Sequence, residues 1–413
     1  MNLPPLHESW LPRDHGLHRP RHGRRQRIAL VCAVLFFAAP LLALGFGARP
    51  APIDNRLLVA FPSVTEGWGF FTALPQWGTD HVTFRAAALR GADAVSRGVF
   101  GEPPSFTRGQ LGVDPIDPVG PGAGLAVPPA IEGRDGWLFD GDDVISRCAP
   151  AQPLATTIAA LRRLRAAVTA SGRRFVLIIA PDKSTVLPRY LPGSYVGKSC
   201  AAAATARFWR LLPESTGALD LRSSLVAWPL GAYPPQDAHW SDEGALTMTR
   251  ALADAIQPVV TRTWVSRPVR QWTQAADLPP LIGHHGLDHG EYYSLAPDGH
   301  TDQARNVPFD FTTPLHLAAG RVPGTVTVSV GFLGDSFTIR ALRYFQAAFT
   351  DIDVLHYGWV TADQGRTAGE MLARDRVVAV ELVERTLESG NNVLLRPAVL
   401  NGIGRVLAEH PMR

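Results

Sequence analysis

Hydrophobic positions along this chain follow two spacings in turn, and the pattern predicts alternating strands and helices. In the segment 154–170, apolar side chains recur every three or four residues, at Ile158, Leu161, Leu164 and Val168, which is typical of one helical face. Short apolar runs predict strands at 174–180, 218–221, 326–333, 352–356 and 377–383, and a further helix is predicted at 244–256. Strands that alternate with helices favour a parallel sheet with helices on both faces, so we predict an α/β fold.

The strand predicted at 326–333 runs directly into Gly334-Asp335-Ser336. An amphipathic helical pattern with Phe337, Leu342, Phe345 and Phe349 follows it. A serine at such a strand-to-helix turn has its hydroxyl held clear of the sheet, near backbone N–H groups that suit a developing oxyanion. Ser336 is therefore a candidate nucleophile. The alternative is a plain turn, in which glycine bends the chain and Asp335 or Ser336 caps the helix.

A serine nucleophile needs a base and a group that orients the base, and Asp237-Ala238-His239-Trp240 offers both at short range. Residues two apart in an extended segment point to the same side, so Asp237 could hold His239 while His239 takes the serine proton. Capping of the helix that begins near Ser241 is the alternative, and it leaves the Asp-X-His-Trp unit without a reason.

A second group of histidines lies at His284, His285 and His289, beside Asp288. Its spacing matches no standard metal-ligand pattern, so we predict a polar surface loop and no metal site.

The motifs together resemble a known family, the SGNH-hydrolase-like alginate O-acetyltransferases of bacterial exopolysaccharide systems. Asp237-Ala238-His239-Trp240 followed by Gly334-Asp335-Ser336-Phe337 carries the resemblance most clearly. Further matching segments are Asp80–Arg85, Gly133-Arg134-Asp135-Gly136-Trp137-Leu138-Phe139, Pro181-Asp182-Lys183 with Pro188-Arg189-Tyr190-Leu191-Pro192, and Glu381-Leu382-Val383-Glu384-Arg385. The resemblance implies an SGNH-hydrolase-like parallel sheet flanked by helices.

The same resemblance implies a reaction and a set of roles. Ser336 would be the nucleophile, His239 the base and Asp237 its orienting carboxylate. Arg340, Tyr357 and Arg385 are candidates for substrate contact near the site, and a surface or structural role is the alternative for each. For Arg385, which lies inside an apolar run, we predict the structural role. The protein would move an acetyl group through a serine acyl-enzyme onto exopolysaccharide hydroxyls, without a cofactor. A membrane-bound O-acyltransferase (MBOAT) would be the partner that supplies acetyl groups. A carbohydrate or lipid acetylesterase with the same triad, and a non-catalytic polysaccharide-binding scaffold, are the alternatives.

The N-terminal residues predict the cellular compartment in which the protein works. Residues 1–27 carry six arginines against two acids, and the uncharged stretch 28–48 that follows is long enough to cross a bilayer as a helix. Arginines on the N-terminal side place that end in the cytoplasm and the rest of the chain outside. We therefore predict a single-pass inner-membrane anchor with an extracytoplasmic catalytic domain. A cleaved signal peptide is the alternative.

Export also bears on the cysteines and on the charge. Cys148 and Cys200 lie outside the apolar span, and an oxidising compartment would let them pair, so we predict a disulfide. Two free buried thiols are the alternative. The formal net charge is +3, and the basic tail accounts for it, which leaves no excess of positive charge for nucleic acid.

These observations predict four parts. They are a basic cytoplasmic tail (1–27), the anchor (28–48), a membrane-proximal stem (49–130) and the SGNH-like domain (131–413). The segment 114–129 is rich in proline and glycine and is predicted to be a loop or linker. Residues 261–324 form an inserted irregular or β region with Trp264, Trp272, Tyr292 and Tyr293, which could build a wall or lid over the site. We predict that its aromatic side chains form a small local core, and exposed aromatics that stack on sugar rings are the alternative.

Overall fold

The computed structural model describes residues 10–15, 24–48, 60–101, 127–228 and 232–412. The contacts between residues divide the chain into two compact units, one that ends at Ala92 and one that begins at Asp93. The glycine- and proline-rich segment 114–129 lies, up to residue 126, outside the described residues. The predicted four-part division stays a prediction.

The first unit contains helices α1 (Arg24–Gly45) and α2 (Trp68–Asp80), and α3 (Arg85–Phe100) begins in it. Within α1, the stretch Gln26–Gly45 is long and apolar enough to cross a bilayer, judged by length and composition alone. It overlaps the predicted anchor at 28–48, and Pro40 lies inside the helix.

The second unit is a layered α/β structure. Its strands are β1 (Ala130–Glu132), β2 (Leu138–Asp140), β3 (Arg174–Ala180), β4 (Leu219–Asp220), β5 (Pro268–Ala275), β6 (Leu287–Tyr293), β7 (Leu315–Leu317), β8 (Val330–Gly334), β9 (Ile352–His356) and β10 (Val377–Val383). Its helices are α4 (Asp142–Cys148), α5 (Leu154–Ala170), α6 (Lys183–Val186), α7 (Lys198–Thr216), α8 (Arg222–Val226), α9 (Asp242–Ile256), α10 (Leu342–Ala348), α11 (Arg366–Leu372), α12 (Glu384–Ser389) and α13 (Pro397–Glu409).

Six strands form the central sheet, in the order β4-β3-β10-β8-β9-β7. Five are parallel, as predicted, and β7 pairs antiparallel with β9. The sheet is therefore mixed. The antiparallel edge strand comes from the insertion 261–324, which returns to the sheet against the direction of the other strands.

Side chains alternate between the two faces of the sheet, as the pleat of a strand requires. Val176 and Ile178 of β3 join a core that also contains residues of α9 and α10. Leu177 and Ile179 join the opposite core, with residues of α5, α7, α11 and α13. Because both faces are covered, the central strands read as nearly continuous apolar runs in the sequence.

Most predicted bounds agree with the structure. The helix at 154–170 and the strands at 174–180, 352–356 and 377–383 are confirmed residue for residue. The strand predicted at 326–333 is wrong at its start, because Val326 forms only an isolated bridge to Phe349 and regular pairing begins at Val330. The predicted 218–221 strand is confined to Leu219–Asp220.

The insertion contains a β-hairpin of β5 and β6, paired antiparallel. Trp264 and Trp272 are each only 6 % exposed, so these aromatic side chains are buried, and Trp264 packs into the same core as Val176 and Ile178 of β3.

Candidate active site

Ser336 occupies the strand-to-helix turn that the sequence predicts. It comes two residues after Gly334 ends β8, and it opens a short 3-10 helix (Ser336–Ala341) that leads into α10. Asp335 precedes it as the N-cap and accepts a hydrogen bond from the Phe337 N–H at 2.9 Å. Because Ser336 is the first residue of the turn, its own N–H has no acceptor within that turn.

Gly334 lets the turn pack closely. A Cβ at this position would lie 2.8 Å from Cε1 of Phe332 and closer still to the hydroxyl of Thr338. Only glycine leaves room for both neighbours, which explains the first residue of the Gly-Asp-Ser sequence.

The structure brings the three predicted site residues together. The Oγ of Ser336 lies 2.8 Å from Nε2 of His239. On the other side of the ring, Nδ1 of His239 lies 2.9 Å from Oδ1 of Asp237, and the same oxygen accepts the His239 backbone N–H at 2.8 Å. Asp237 is buried, and the His239 side chain is 18 % exposed. The distances therefore match those of a hydroxyl, an imidazole and a carboxylate in a nucleophilic triad.

A fourth side chain, which sequence reasoning missed, completes this arrangement. Oδ2 of Asp277 lies 3.1 Å from Nδ1 of His239, and its Oδ1 accepts the Ala238 N–H at 2.9 Å. Asp277 comes from the insertion, in the connection between the two strands of the hairpin. No motif marks it in the sequence, because its proximity to His239 depends on the path of the hairpin.

Lys183 holds the loop that carries Asp237 through hydrogen bonds to its backbone. Its ammonium group is buried and donates to the carbonyl groups of Pro234 (3.2 Å), Pro235 (3.0 Å) and Asp237 (2.7 Å). Leu138 adds a backbone hydrogen bond to Pro235. Two segments of the family-like sequence, around Leu138 and Lys183, thus support the same loop.

Burial and neighbouring charges shift the titration of this site. Burial lowers the pKa of His239, but its hydrogen bonds to Asp237 and Asp277 outweigh this and raise the pKa to about 10. Burial and the charge of Asp237 raise the pKa of Asp277 to about 6. Burial lowers the pKa of Lys183 to about 8, against the opposing effect of the nearby carboxylates.

The two residues expected to contact substrate have other partners in the structure. Arg340 donates to the carboxylate of Asp242 at 3.2 Å and lies over the ring of Trp272 at 4.2 Å. Tyr357 is 5 % exposed, and its hydroxyl donates to Asp335 at 2.6 Å. These contacts are structural ones, and a contact with substrate stays a prediction for both residues.

Arg385, in contrast, has the structural surroundings that its sequence context suggests. Its guanidinium donates to Asp182 at 3.0 Å and lies 5.3 Å from the ring centre of Phe337. It therefore connects the start of α12 to Phe337 in the turn that carries Ser336.

Two groups of described side chains are close enough together to hold a cation, and at each of them a basic group of the protein lies beside the carboxylates. Asp237, His239 and Asp277 form the first, where the imidazole is that group. In the second, Asp182, Glu384 and Glu388 surround the guanidinium of Arg147 at 2.9, 3.1 and 2.6 Å. Buried carboxylates in both places thus face a basic side chain.

The histidines of the 284–289 region have separate partners. His284 pairs with Asp93 at 2.9 Å, and His289 contacts the hydroxyl of Thr273 at 2.8 Å. The structure also joins Cys148 to Cys200, with Cα atoms 5.6 Å apart.

The fold and the site define a class, an SGNH-hydrolase-like α/β protein with a serine on a strand-to-helix turn. Residues 130–376 match the family model described as the SGNH hydrolase-like domain of the acetyltransferase AlgX. The match covers more than half of the chain, so the chain belongs to this family of acyltransferases.

The solved structures to which this chain is similar include the following three. The O-acetyltransferase domain of Pseudomonas putida AlgJ is 20 % identical, with a TM-score of 0.47 over 67 % of this chain and 99 % of that domain. Pseudomonas aeruginosa AlgX is 13 % identical, with a TM-score of 0.42 over 66 % of each chain. Bacillus cereus PatB1 is 12 % identical, with a TM-score of 0.39 over 61 % of this chain and 95 % of its own. Compared by sequence with curated proteins, the chain has no significant match.

Proposed function

We propose that this protein is an extracytoplasmic O-acetyltransferase that moves an acetyl group through Ser336 onto hydroxyl groups of an exopolysaccharide. The observation that carries the proposal is the continuous contact from Ser336 through His239 to Asp237, at 2.8 and 2.9 Å. Family membership supports acyl transfer as the reaction class.

In the first half of the reaction, Oγ of Ser336 attacks the carbonyl carbon of the acetyl donor while Nε2 of His239 takes the hydroxyl proton. The carbonyl oxygen becomes an oxyanion, and the N–H of Ser336 would stabilise it. When the oxyanion collapses, the bond to the donor breaks and the leaving group takes the proton from His239. The product is acetyl-Ser336.

In the second half, a sugar hydroxyl attacks the acetyl carbon of acetyl-Ser336. His239 takes the proton of the attacking hydroxyl and returns it to Oγ of Ser336 when the acyl-enzyme breaks. One ester is lost and one is formed, so the exchange needs no oxidant, reductant or cofactor. If water attacks instead, the same machinery gives an esterase.

The donor side involves the membrane. The apolar helix Gln26–Gly45 would hold the protein at the inner membrane with its N-terminus inside, since arginines precede it. We infer that an MBOAT partner passes acetyl groups across the membrane to Ser336, and that the acceptor polysaccharide is outside.

The test is a transfer assay with the full chain in detergent. A chromogenic acetyl ester serves as donor, with and without an oligosaccharide acceptor, and mass spectrometry follows acetylation of the oligosaccharide. We expect acetylated oligosaccharide from the wild type. Ser336→Ala should lower the transfer rate by at least about a thousand-fold, since the residual rate comes from binding alone.

Each outcome decides between the candidate functions. Release of acetate with no acetylated acceptor, over a range of acceptor concentrations and polymers, would replace the transferase with an esterase. If the wild type shows no transfer and no acetate release, and it binds the oligosaccharide with the same affinity as Ser336→Ala, a scaffold would replace the transferase. Ser184→Ala is the control, because Ser184 is a buried serine that lies in the Arg147 network and not at the imidazole.

A further inference from the structure

The imidazole of His239 faces two carboxylates, where a triad needs only one. Nδ1 carries a single hydrogen, and oxygen atoms of Asp237 and Asp277 lie 2.9 and 3.1 Å from it. Both carboxylates also accept backbone N–H groups of the same loop, Asp237 from His239 and Asp277 from Ala238. The second carboxylate therefore lies nearly as close to the base as the first.

Hydrogen bonds between the insertion and the loop of His239 hold Asp277 in position. The next residue, Leu278, donates its N–H to the carbonyl of Gln236 at 3.2 Å, and the N–H of Gln236 points to the carboxylate of Asp288 at 3.2 Å. The side chain of Asp277 is 2 % exposed, so water does not compete for it. The insertion thus holds the loop of the base by backbone and side-chain contacts together.

From this geometry we propose that Asp277 is a second positioning residue, which shares the Nδ1 hydrogen of His239 with Asp237 and stabilises the imidazolium formed in each half of the reaction. The catalytic part of this proposal rests on the proposed function, whereas the contact with the imidazole does not. The insertion 261–324 then supplies one of the two negative charges behind the base.

The charged groups around His239, Asp237 and Asp277 decide in which direction the pKa of His239 is shifted. Asp237 and Asp277 face the ring itself, Lys183 acts on both carboxylates, and Arg340 acts on Asp237. The negative charge of Asp277 favours the protonated ring, and the pKa of His239 is raised in the structure. Loss of that charge should therefore lower the pKa of the base.

Asp277→Asn separates positioning from support of the loop. An asparagine can still accept the Ala238 N–H through its amide oxygen, so the backbone contact is kept while the charge is lost. Asp288→Asn is the matched control, since Asp288 belongs to the same insertion and contacts the same loop at Gln236 without touching the ring. A purely structural role for Asp277 predicts the same result for both variants.

Two readouts are made on the full chain in detergent. The first is the titration of His239 by NMR of 15N-histidine-labelled protein in a Ser336→Ala background, with the His239→Gln spectrum as assignment. We expect Asp277→Asn to move the midpoint to lower pH by about one to three units, and Asp288→Asn to move it much less. The second is the pH dependence of kcat/KM for acetyl transfer, whose acidic limb should move with the same sign, because only the neutral imidazole accepts the serine proton.

A further comparison uses the two carboxylates together. Because each can hold the ring, Asp237→Asn should keep more activity than Asp237→Asn with Asp277→Asn, and the double loss should exceed the product of the single losses. An unchanged His239 midpoint in Asp277→Asn would overturn the proposal, as would a shift equal to that of Asp288→Asn. If the wild type shows no transfer, the proposed function fails, while the NMR midpoint still tests the contact.

Discussion

At the scale of single residues, the site joins local patterns that the sequence displays to contacts that it hides. Ser336 could be predicted because a strand, a turn and a helix follow one another over a few residues. Asp237 and His239 could be predicted because residues two apart share a side of an extended segment. Asp277 could not, since its contact with His239 arises only when the hairpin folds over the loop.

For Tyr357, the sequence predicts the position of the residue but not the direction of its side chain. It follows β9 at the same edge of the sheet as Ser336, which favours a role in the site. The side chain turns inward to Asp335 instead, and position along a strand cannot reveal that direction.

Glu381 gives a residue-scale prediction about stability and pH. It is fully buried in β10, and its carboxyl accepts from the Asp335 N–H at 3.3 Å and the Thr338 hydroxyl at 3.0 Å. Burial, and then the charge of Asp335, raises its pKa well above the ordinary value. The folded protein therefore keeps a proton that the unfolded chain loses above a pH of about 4.3, so stability falls as pH rises from there toward the raised pKa.

Glu381→Gln keeps the shape and removes this titration. The free energy of unfolding of the variant, measured by urea at several pH values, should gain on the wild type by up to about 1.4 kcal/mol per pH unit. Glu370→Gln, an exposed control that pairs with Arg366, should show no such trend. A constant difference between Glu381→Gln and wild type across pH would contradict the expected protonation.

At the scale of elements, buried strands were the most predictable part of the fold. Apolar runs mark β3 and β10 with their bounds, because central parallel strands are buried on both faces. The three-residue β7 has no such run, and its antiparallel direction depends on where the insertion re-enters the sheet.

The loop 234–239 gives the element-scale prediction. Lys183 donates to three carbonyl groups of this loop, so Lys183→Met should loosen the base without touching it. Since small displacements of reacting groups are costly, we expect kcat of transfer to fall about 10- to 100-fold. Lys198→Met is the matched control, because Lys198 is the chain's other lysine and is exposed. Equal kcat values for both variants would show that the tie to Lys183 does not position the base.

At the scale of the whole molecule, one unit contains the apolar helix and the other contains the candidate active site, as the proposed membrane-anchored, extracytoplasmic enzyme requires. The flanking arginines predict the orientation, and the length of the apolar stretch predicts the span. Neither feature distinguishes an anchor from a cleaved leader, since both begin with the same physical pattern.

Fractionation of cells that express the full chain tests the anchor. We expect the protein in the membrane fraction after alkaline carbonate extraction, with the second unit accessible to protease added to spheroplasts. A soluble mature chain that lacks residues 1–48 would show a cleaved leader instead. A chain protected from protease would contradict the orientation.

The central claim, that Ser336 carries the acetyl group, is tested most directly by trapping the acyl-enzyme. The full chain is mixed with an acetyl ester in the absence of acceptor, quenched in acid and digested, and the peptide that contains residue 336 is sequenced by mass spectrometry. We expect one acetyl group on Ser336 that disappears when oligosaccharide is added before the quench, and none on that peptide in Ser336→Ala. Acetyl transfer that proceeds at the wild-type rate in Ser336→Ala, or an acetyl group that turns over on a different residue, would contradict the account.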